Sequence, residues 1–593
     1  MVSSKGRTWL YVDITSLFKG KISLTFLFLL LALPAFASGG ICPSGANYIS
    51  PATNTLVTLS SLGVTSCYFV AASGSEGNTG TDEAHPWLYA PMMPSSTHSS
   101  LLKAGIGIIF RGGDTWHEGN SGASPYIGGS WNFNTGALPH GTSGNPVYIG
   151  VDNTWYTGGA WTRPKITGDN AITTSQSLSS CTYNSSNLGY LINLSGPYMM
   201  YIYVDNLELL GFCQQDFNAT GGEGYFGYNS MAGPLYFFHN YIHGWSHQAY
   251  GNHTDPIASC GVSGPCFNVY AFYGSGSGGD YAWYNVVDGS DSDPFGAGAC
   301  YCGIHNWAYN YFGHQAQIID RDLHVYHDNL LEYNIDMGHS NTMESAGMDP
   351  GSSVVYNNVF RHINPPPGNP GTVNVWLAPP IGSTSYFFNN LMYDFPQSMN
   401  NYVAVAASAH NYATGPLIAF NNTIQTQQAQ SIFSCGGGGQ SFTTTLVNNF
   451  VIVTGGNVAD TSCTSGGTLT QLTNLVMTNA AATSAGYTSS ETYPFSPPTS
   501  GSATVGTGTN ETSGYCAAIA TAAGSDATWS DAATACQQDT RSACTYNTTN
   551  HTMNCPGRTV VARATSGKLD IGAYQYSAQG QPSPPTGLTA VVN

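Results

Sequence analysis

Charge is scarce in this chain of 593 residues: only 8% of positions are charged, and 14 Lys and Arg stand against 32 Asp and Glu, for a formal net charge of −18. Between Lys165 and Arg541 the only cationic side chains are Arg321 and Arg361. So cation-poor a stretch cannot offer the basic track that nucleic acid or a bare polyanion needs, and nucleic acid is excluded as a partner. Long apolar runs are missing beyond the first 40 residues. None approaches the roughly 18 residues of a membrane span, so none is expected in the mature chain. The 14 cysteines include no Cys-x2-Cys pair, which puts disulfides ahead of zinc as their use. Helical periodicity is absent too, and with it leucine-rich and helical arrays.

What is present begins with a leader. Lys5, Arg7, Lys19 and Lys21 precede an apolar run from Ile22 to Leu33 and the small-residue stretch Pro34-Ala35-Phe36-Ala37. Residues 1–37 therefore read as a signal peptide cleaved after Ala37, which makes the protein secreted and extracellular. The cysteines agree with an oxidising compartment. Close sequence pairs suggest local bridges: Cys42 with Cys67, Cys181 with Cys213, Cys260 with Cys266, Cys435 with Cys463, and Cys516, Cys536, Cys544 and Cys555 among themselves. Cys300 and Cys302 are too close for an unstrained bridge, and either can reach Cys260 or Cys266 instead.

The dominant feature is a repeat. An aromatic or aliphatic strand broken by asparagine recurs at Asn206, Asn240, Asn285, Asn310, Asn329, Asn358, Asn390, Asn422 and Asn449, at intervals of 34, 45, 25, 19, 29, 32, 32 and 27 residues. A loose period near 30 is that of a solenoid, in which each unit is too flat to bury its apolar face alone and must stack on its neighbours. Asparagine suits the corner between two strands. It tolerates left-handed backbone, and identical amides stacked coil on coil can hydrogen-bond in a ladder.

Fold-specific motifs flank the repeat. Cys67-Tyr68-Phe69-Val70 is followed by the loop Ala72 to Thr81, by Pro86-Trp87, and by Gly112-Gly113-Asp114-Thr115; the chain closes on Asp570-Ile571-Gly572-Ala573-Tyr574. In these features it resembles the secreted right-handed parallel β-helix proteins, the superfamily that includes pectate lyases and polygalacturonases. The resemblance implies an all-β, right-handed parallel β-helix solenoid with stacked Asn ladders over 67–576. Around it are expected an N-terminal lead-in at 38–66, a disulfide-stapled, Ala-rich excursion at 515–556 capping the last coils, and a Pro-rich linker at 577–593. It also implies a polysaccharide or cell-surface glycan as partner.

Chemistry-bearing residues crowd the middle coils. Nine of the sixteen histidines lie between His239 and His339, and sixteen of the thirty-two acids between Asp205 and Asp349. If Ile318 to His327 is one strand, Leu323 and Val325 face the core while Asp320, Asp322 and His324 project together, about 7 Å apart at alternate positions, a spacing that lets two carboxyls flank a glycosidic bond. Asp320 and Asp322, with Arg321, His314 and His324, are thus the expected catalytic group. That register turns Arg321 and His327 inward, where they need partners. Asp288, Asp291 and Asp293 in a Gly/Ser turn are a candidate calcium set, with a solvated turn as the plain alternative. His327, His339 and Glu344 are candidate substrate-binding residues; the cluster Asp336, His339, Asn341 and Glu344 reads as a metal or substrate site and equally well as a polar corner.

The enzyme signatures of the superfamily are incomplete. Lys is missing from every middle coil, leaving Arg321 as the only well-placed cation for proton abstraction of the lyase kind. Ser290-Asp291-Ser292-Asp293, Gly313-His314-Gln315 and Arg321 with Leu323 only partly match the polygalacturonase pattern. Two readings follow: a secreted hydrolase or lyase cleaving a glycan in a middle-coil groove, and a non-catalytic adhesin-like or glycan-binding rod.

Overall fold

In a computed structural model of the protein, the described residues run from Gly39 to Ser577. They leave out 43–46, 51–54, 134–140, 171–181, 183–188, 197–198, 215–222, 230–232, 248–268, 276–278, 293–296, 303–304, 315–316, 321–323, 334–340, 346–351, 364–372, 378–381, 396–414, 428–431, 434–442, 456–457, 459–467, 490–492 and 557. Contacts separate Met1–Ser38, outside the described residues, from one compact unit, Gly39–Asn593.

Three long sheets, of fourteen, twelve and eight strands, organise this unit. The middle coils visit them in turn. Leu235–Phe238 lies in the fourteen-stranded sheet, Tyr241–His243 in the twelve-stranded sheet and Val269–Ser275 in the eight-stranded sheet, and Tyr281–Trp283 returns to the first. Successive coils pair in parallel and in register, Tyr236 on Tyr281 and Ile242 on Val287. This is the parallel β-helix expected from the repeat. Parallel strands start at Ser66–Val70 and end at Leu475–Thr478, and Gly40–Ile41 pairs antiparallel against the first of them. The bore is filled by the inward residue of each strand, among them Val204, Phe237, Trp307, Tyr326, Phe360 and Val451, all buried in one cluster. Each strand turns one face to the bore, and stacking coil on coil buries that face as one continuous core.

The corner between the first two sheets takes two residues, and the structure divides between them the two roles assigned above to asparagine. The first is left-handed: His239 (φ 54°), Tyr284 (57°), Tyr309 (59°), Asp328 (55°), Asn357 (55°) and Asn389 (55°). The second is the ladder residue. Asn285 Nδ2 donates to Asn310 Oδ1 at 3.1 Å and to the Phe237 carbonyl at 2.8 Å, while its backbone N–H donates to the same Asn310 Oδ1 at 2.8 Å. The pattern runs from Asn240 to Asn474, one rung beyond the last asparagine of the sequence repeat. Asn206 is not a rung: it holds the left-handed position (φ 62°), and the backbone N–H of Leu207 binds Asn240 Oδ1.

After Thr478 the chain turns back along the outside of the rod as a strap. The Ala-rich helices Ala517–Ala523 and Ala527–Cys536, joined by Cys516–Cys536, cover outward residues of the fourteen-stranded sheet that include Val354, Tyr356, Phe388 and Phe420. Small alanines such as Ala532 and Ala535 let helix approach sheet closely. The hairpin Thr545–Asn547 and Thr552–Asn554, stapled by Cys544–Cys555, reaches coils far from the last one, where Arg163 Nη1 donates to the Asn550 carbonyl at 3.0 Å. The closing Asp-Ile-Gly-Ala-Tyr run seats on the coil of Thr423: Ala573 N–H donates to Thr423 Oγ1, and Gly572 (φ 93°) sits where a Cβ would lie 2.8 Å from that oxygen. Cys42–Cys67 closes the N-terminal lead-in as expected, and no described cysteine is free. No described helix is long and apolar enough to cross a membrane.

Candidate functional site

The segment from Ile318 to His327 is not one strand. Gln317–Asp320 belongs to the eight-stranded sheet and Val325–His327 to the fourteen-stranded sheet, so Asp320 and His324 do not share the single strand that the sequence suggested. The apolar alternation that suggested one strand runs over strands of two sheets. Tyr326 points into the bore, whereas Val325 and His327 point outward and are buried under the strap. His327, 4% exposed, stacks on Tyr356 at 4.8 Å and holds Asp328 through Nδ1 at 2.8 Å, so its surroundings are those of a docking contact and not of an open substrate site. Arg321, Asp322, Asp293 and His339 lie outside the described residues. Glu344 sits in the strand Asn341–Ser345, its side chain likewise outside the description. His305 stacks on His324 at 4.2 Å.

What the structure gathers is a polar row on the outer face of the twelve-stranded sheet. Strand register aligns His243 with Asp288, Asp288 with Gly313, Gly313 with Glu332 and Glu332 with Arg361. Three expected site residues, Asp288, Asp291 and His314, belong here. Asp288, 4% exposed at its side chain, receives His314 Nδ1 on Oδ1 at 3.1 Å, the Ser290 N–H on the same oxygen at 2.9 Å, and the Tyr546 hydroxyl on Oδ2 at 2.8 Å. Burial works against its charge, but these donors outweigh it and hold the carboxyl below the usual range. An ionised carboxylate only accepts, so His314 Nδ1 carries the proton and Nε2 is left as the basic nitrogen. The His314 side chain is 36% exposed and stacks on Tyr333 at 5.2 Å; Tyr333 stacks in turn on His362 at 5.0 Å, and His362 pairs with Asp394 through Nδ1. These residues share one position, the left-handed residue that ends each strand: His314 (φ 55°), Tyr333 (56°), His362 (51°) and Asp394 (59°).

Asp291 reaches the opposite way, to His243 Nδ1 of the preceding coil at 2.7 Å, with the Gly244 N–H on its other oxygen at 3.1 Å. His243 Nε2 meets Glu208 Oε1 at 3.2 Å, and Lys165 Nζ meets the same oxygen at 2.8 Å. Burial disfavours a charge on His243, but Asp291 and Glu208 together raise its pKa, making it the cation between two carboxylates. Asp288 and Asp291, two of the three expected calcium ligands, are therefore drawn to histidines on different neighbouring coils. Among the described residues no three His, Cys, Asp or Glu side chains cluster as a metal site. Arg361, one of the two coil cations, is spent on Glu332 at 2.6 Å.

Glu208, His243, Tyr546 and His551 were not singled out by the sequence. The first two stand on neighbouring strands of the twelve-stranded sheet, Glu208 in register with Tyr241 and His243 two residues further along its own strand. Tyr546 and His551 arrive from the strap, and no local pattern marks them.

No protein-family model and no curated protein matches the chain. Among solved structures it is similar to a rhamnogalacturonan lyase, with 11% identity over 69% of this chain and 87% of that one and a TM-score of 0.38. It is also similar to pectate lyase Pel9A, with 13% identity over 75% and 92% and a TM-score of 0.31. A third is the GH136 lacto-N-biosidase from Eubacterium ramulus, with 13% identity over 70% and 68% and a TM-score of 0.32. The fold itself rests on the strand pairing of this chain: it is a parallel β-helix with an internal asparagine ladder and a C-terminal strap.

Proposed function

We propose that the protein is secreted and cleaves a glycan on the outer edge of the twelve-stranded sheet in its middle coils, with His314 as proton acceptor. The observation that carries this is the Asp288–His314 pair: a buried, ionised carboxylate fixes Nδ1 of an imidazole that is itself 36% exposed. A carboxylate on Nδ1 sets the tautomer and orientation of a general base and stabilises the imidazolium that forms when Nε2 takes a proton. Such a base suits either activation of water in hydrolysis or removal of a proton beside a carboxylate in elimination. Tyr333, 41% exposed, stands on the next coil with a hydroxyl that can hydrogen-bond to sugar. Strand spacing of about 4.8 Å sets such groups at regular intervals, which suits a linear polymer. The shortage of cations favours a neutral or cation-bridged glycan over a bare polyanion.

One observation favours the second reading, a glycan-binding rod without chemistry. The same Nδ1 pairing recurs at buried places, Asp205 with His239 at 2.7 Å and Asp328 with His327 at 2.8 Å, where it is structural. A product assay over a polysaccharide panel, with and without chelator, separates the two. Cleavage by the wild type that His314→Gln abolishes supports the enzyme. Binding without products supports the rod, and loss of cleavage on chelation brings calcium into the site.

A further inference from the structure

The strap hairpin does more than cover the rod. Tyr546 lies on Tyr311 with ring centroids 3.8 Å apart, at the one place in the polar row where the side chain is missing. That place is Gly313, where a Cβ would stand 2.3 Å from the Tyr311 hydroxyl. The stack brings the Tyr546 hydroxyl onto Asp288 Oδ2 while His314 holds Oδ1. The phenol has one proton and gives it to Asp288, so the 2.7 Å contact between the Tyr546 oxygen and His551 Nδ1 requires His551 to donate. That donation polarises the Tyr546 hydroxyl and strengthens its bond to Asp288. His551 is itself stacked on Tyr241 at 4.1 Å, so the donor chain is anchored at both ends.

We infer that Tyr546 is a positioning residue of the site: the C-terminal hairpin supplies the hydrogen bond that locks the Asp288 carboxylate against His314, so strap and coils complete the site together. The inference rests on the reading of Asp288 and His314 as the reacting pair. A carboxylate held through one oxygen can swing about its last torsion; one held on both oxygens by donors from separate elements cannot. The charged and titratable groups around Asp288 are His314 and Tyr311 on the next coil with Glu332 beyond them, Tyr241, His243 and Glu208 on the preceding coils, Asp291 in its own turn, and Tyr546 and His551 of the hairpin with Arg163 against it. Burial and the neighbouring His243 keep the His551 pKa below its ordinary value, so at neutral pH it stays a neutral donor and adds no competing charge.

Tyr546→Phe tests this, because it keeps the ring stack on Tyr311 and removes only the hydroxyl. The Asp288 carboxyl, followed by carbon-13 NMR, is expected to titrate at higher pH than in the wild type. Turnover should fall about 10-fold with KM little changed, and the acid limb of the pH profile should move in the same direction. A merely structural hydroxyl would lower the melting temperature and leave both the carboxyl titration and the pH limb in place; that result overturns the inference. The NMR titration needs no substrate. If no glycan is cleaved by any form, the proposed function fails, and an unmoved Asp288 titration would separately sink the positioning role. Should Tyr546→Phe not fold, His551→Phe keeps the stack on Tyr241 and removes the polarising donor. It is expected to shift the Asp288 titration the same way by less, and no shift there overturns the inference equally.

Discussion

Arg541 donates from both Nε and Nη2 to a single oxygen of Asp328, at 3.0 and 2.8 Å, across 213 residues of sequence. Its Nη1 also reaches Asp531 at 2.9 Å. Asp328 is 2% exposed and sits at the corner before ladder residue Asn329, so the strap brings a cation to a carboxylate the cation-poor coils cannot neutralise.

Replacing Arg541 by Leu should therefore leave a buried carboxylate with the His327 imidazole as its remaining side-chain partner and no guanidinium, and destabilise the protein by about 3 kcal/mol, read as a lower melting temperature with early protease cleavage in the strap. The pair also predicts an acid limit. Burial opposes the charge on Asp531, but Arg541 overrides it and pulls the carboxyl down to about 2. A depressed carboxylate contributes stability that is present above its unfolded pKa and lost as pH falls through the folded one. Strap release in the wild type should thus set in below about pH 4 and be complete near pH 2, an acid step missing from Arg541→Leu. Identical acid profiles would remove Arg541 as the fastener.

The ladder predicts a gradient of cost. Asn329→Ala strips partners from the Asn310 backbone N–H and side-chain amide and from the Trp307 carbonyl, all buried. At about 1–3 kcal/mol for each buried group left unpaired, the loss should be at least 3 kcal/mol. Asn474→Ala, on the part-buried final rung, should cost clearly less. Equal losses at the two positions would mean that burial does not set the worth of a rung.

Glu118 predicts the opposite pH sign from Asp531. It is 1% exposed and no described side chain pairs with its carboxyl; burial, opposed by the backbone N–H of Trp131 and helped by the nearby Asp169, raises its pKa well above the carboxylate range. The folded state favours the protonated form, so its contribution is full at acid pH and drains away as pH rises from the unfolded pKa through the raised folded one. Glu118→Gln should match the wild type near pH 4 and unfold at a higher temperature at pH 8. A difference in melting temperature that does not grow with pH would refute the neutral carboxyl.

Competing carboxylates can be separated by activity. Asp288→Asn should lower turnover by about 10²-fold or more by removing the partner of His314. Asp320→Asn and Asp322→Asn are the parallel test of the pair expected from the sequence. Full activity in Asp288→Asn with loss in the other two would move the reacting centre to the eight-stranded sheet.

The fold was legible because its signal is periodic: Asn285, Asn310, Asn329 and Asn358 recur at coil intervals, and the amide ladder follows from stacking them. The reading slipped at Asn206, since Val204-Asp205-Asn206-Leu207 looks like the other corners while its asparagine takes the left-handed place and not the rung. It slipped again at Ile318 to His327, where alternation continued from a strand of one sheet to a strand of another with no glycine or proline between to mark the change. The site was half legible. His314 and Asp288 stood out by composition, but their partner Tyr546 lies 258 residues beyond Asp288, and sequence spacing carries no trace of a contact made by folding back.

The returning strap also orders events in time. Coils pair with their immediate predecessors, so the rod can grow from its N-terminal end as chain becomes available. Asp288 and Asp328 wait for residues that come last: until Tyr546 and Arg541 arrive, each lacks a partner that later buries it. A chain cut short before the hairpin would hold most of its rungs and still present uncovered aromatics such as Tyr356 and Phe388 to solvent. The strap thus acts as a completion check on the coils it covers.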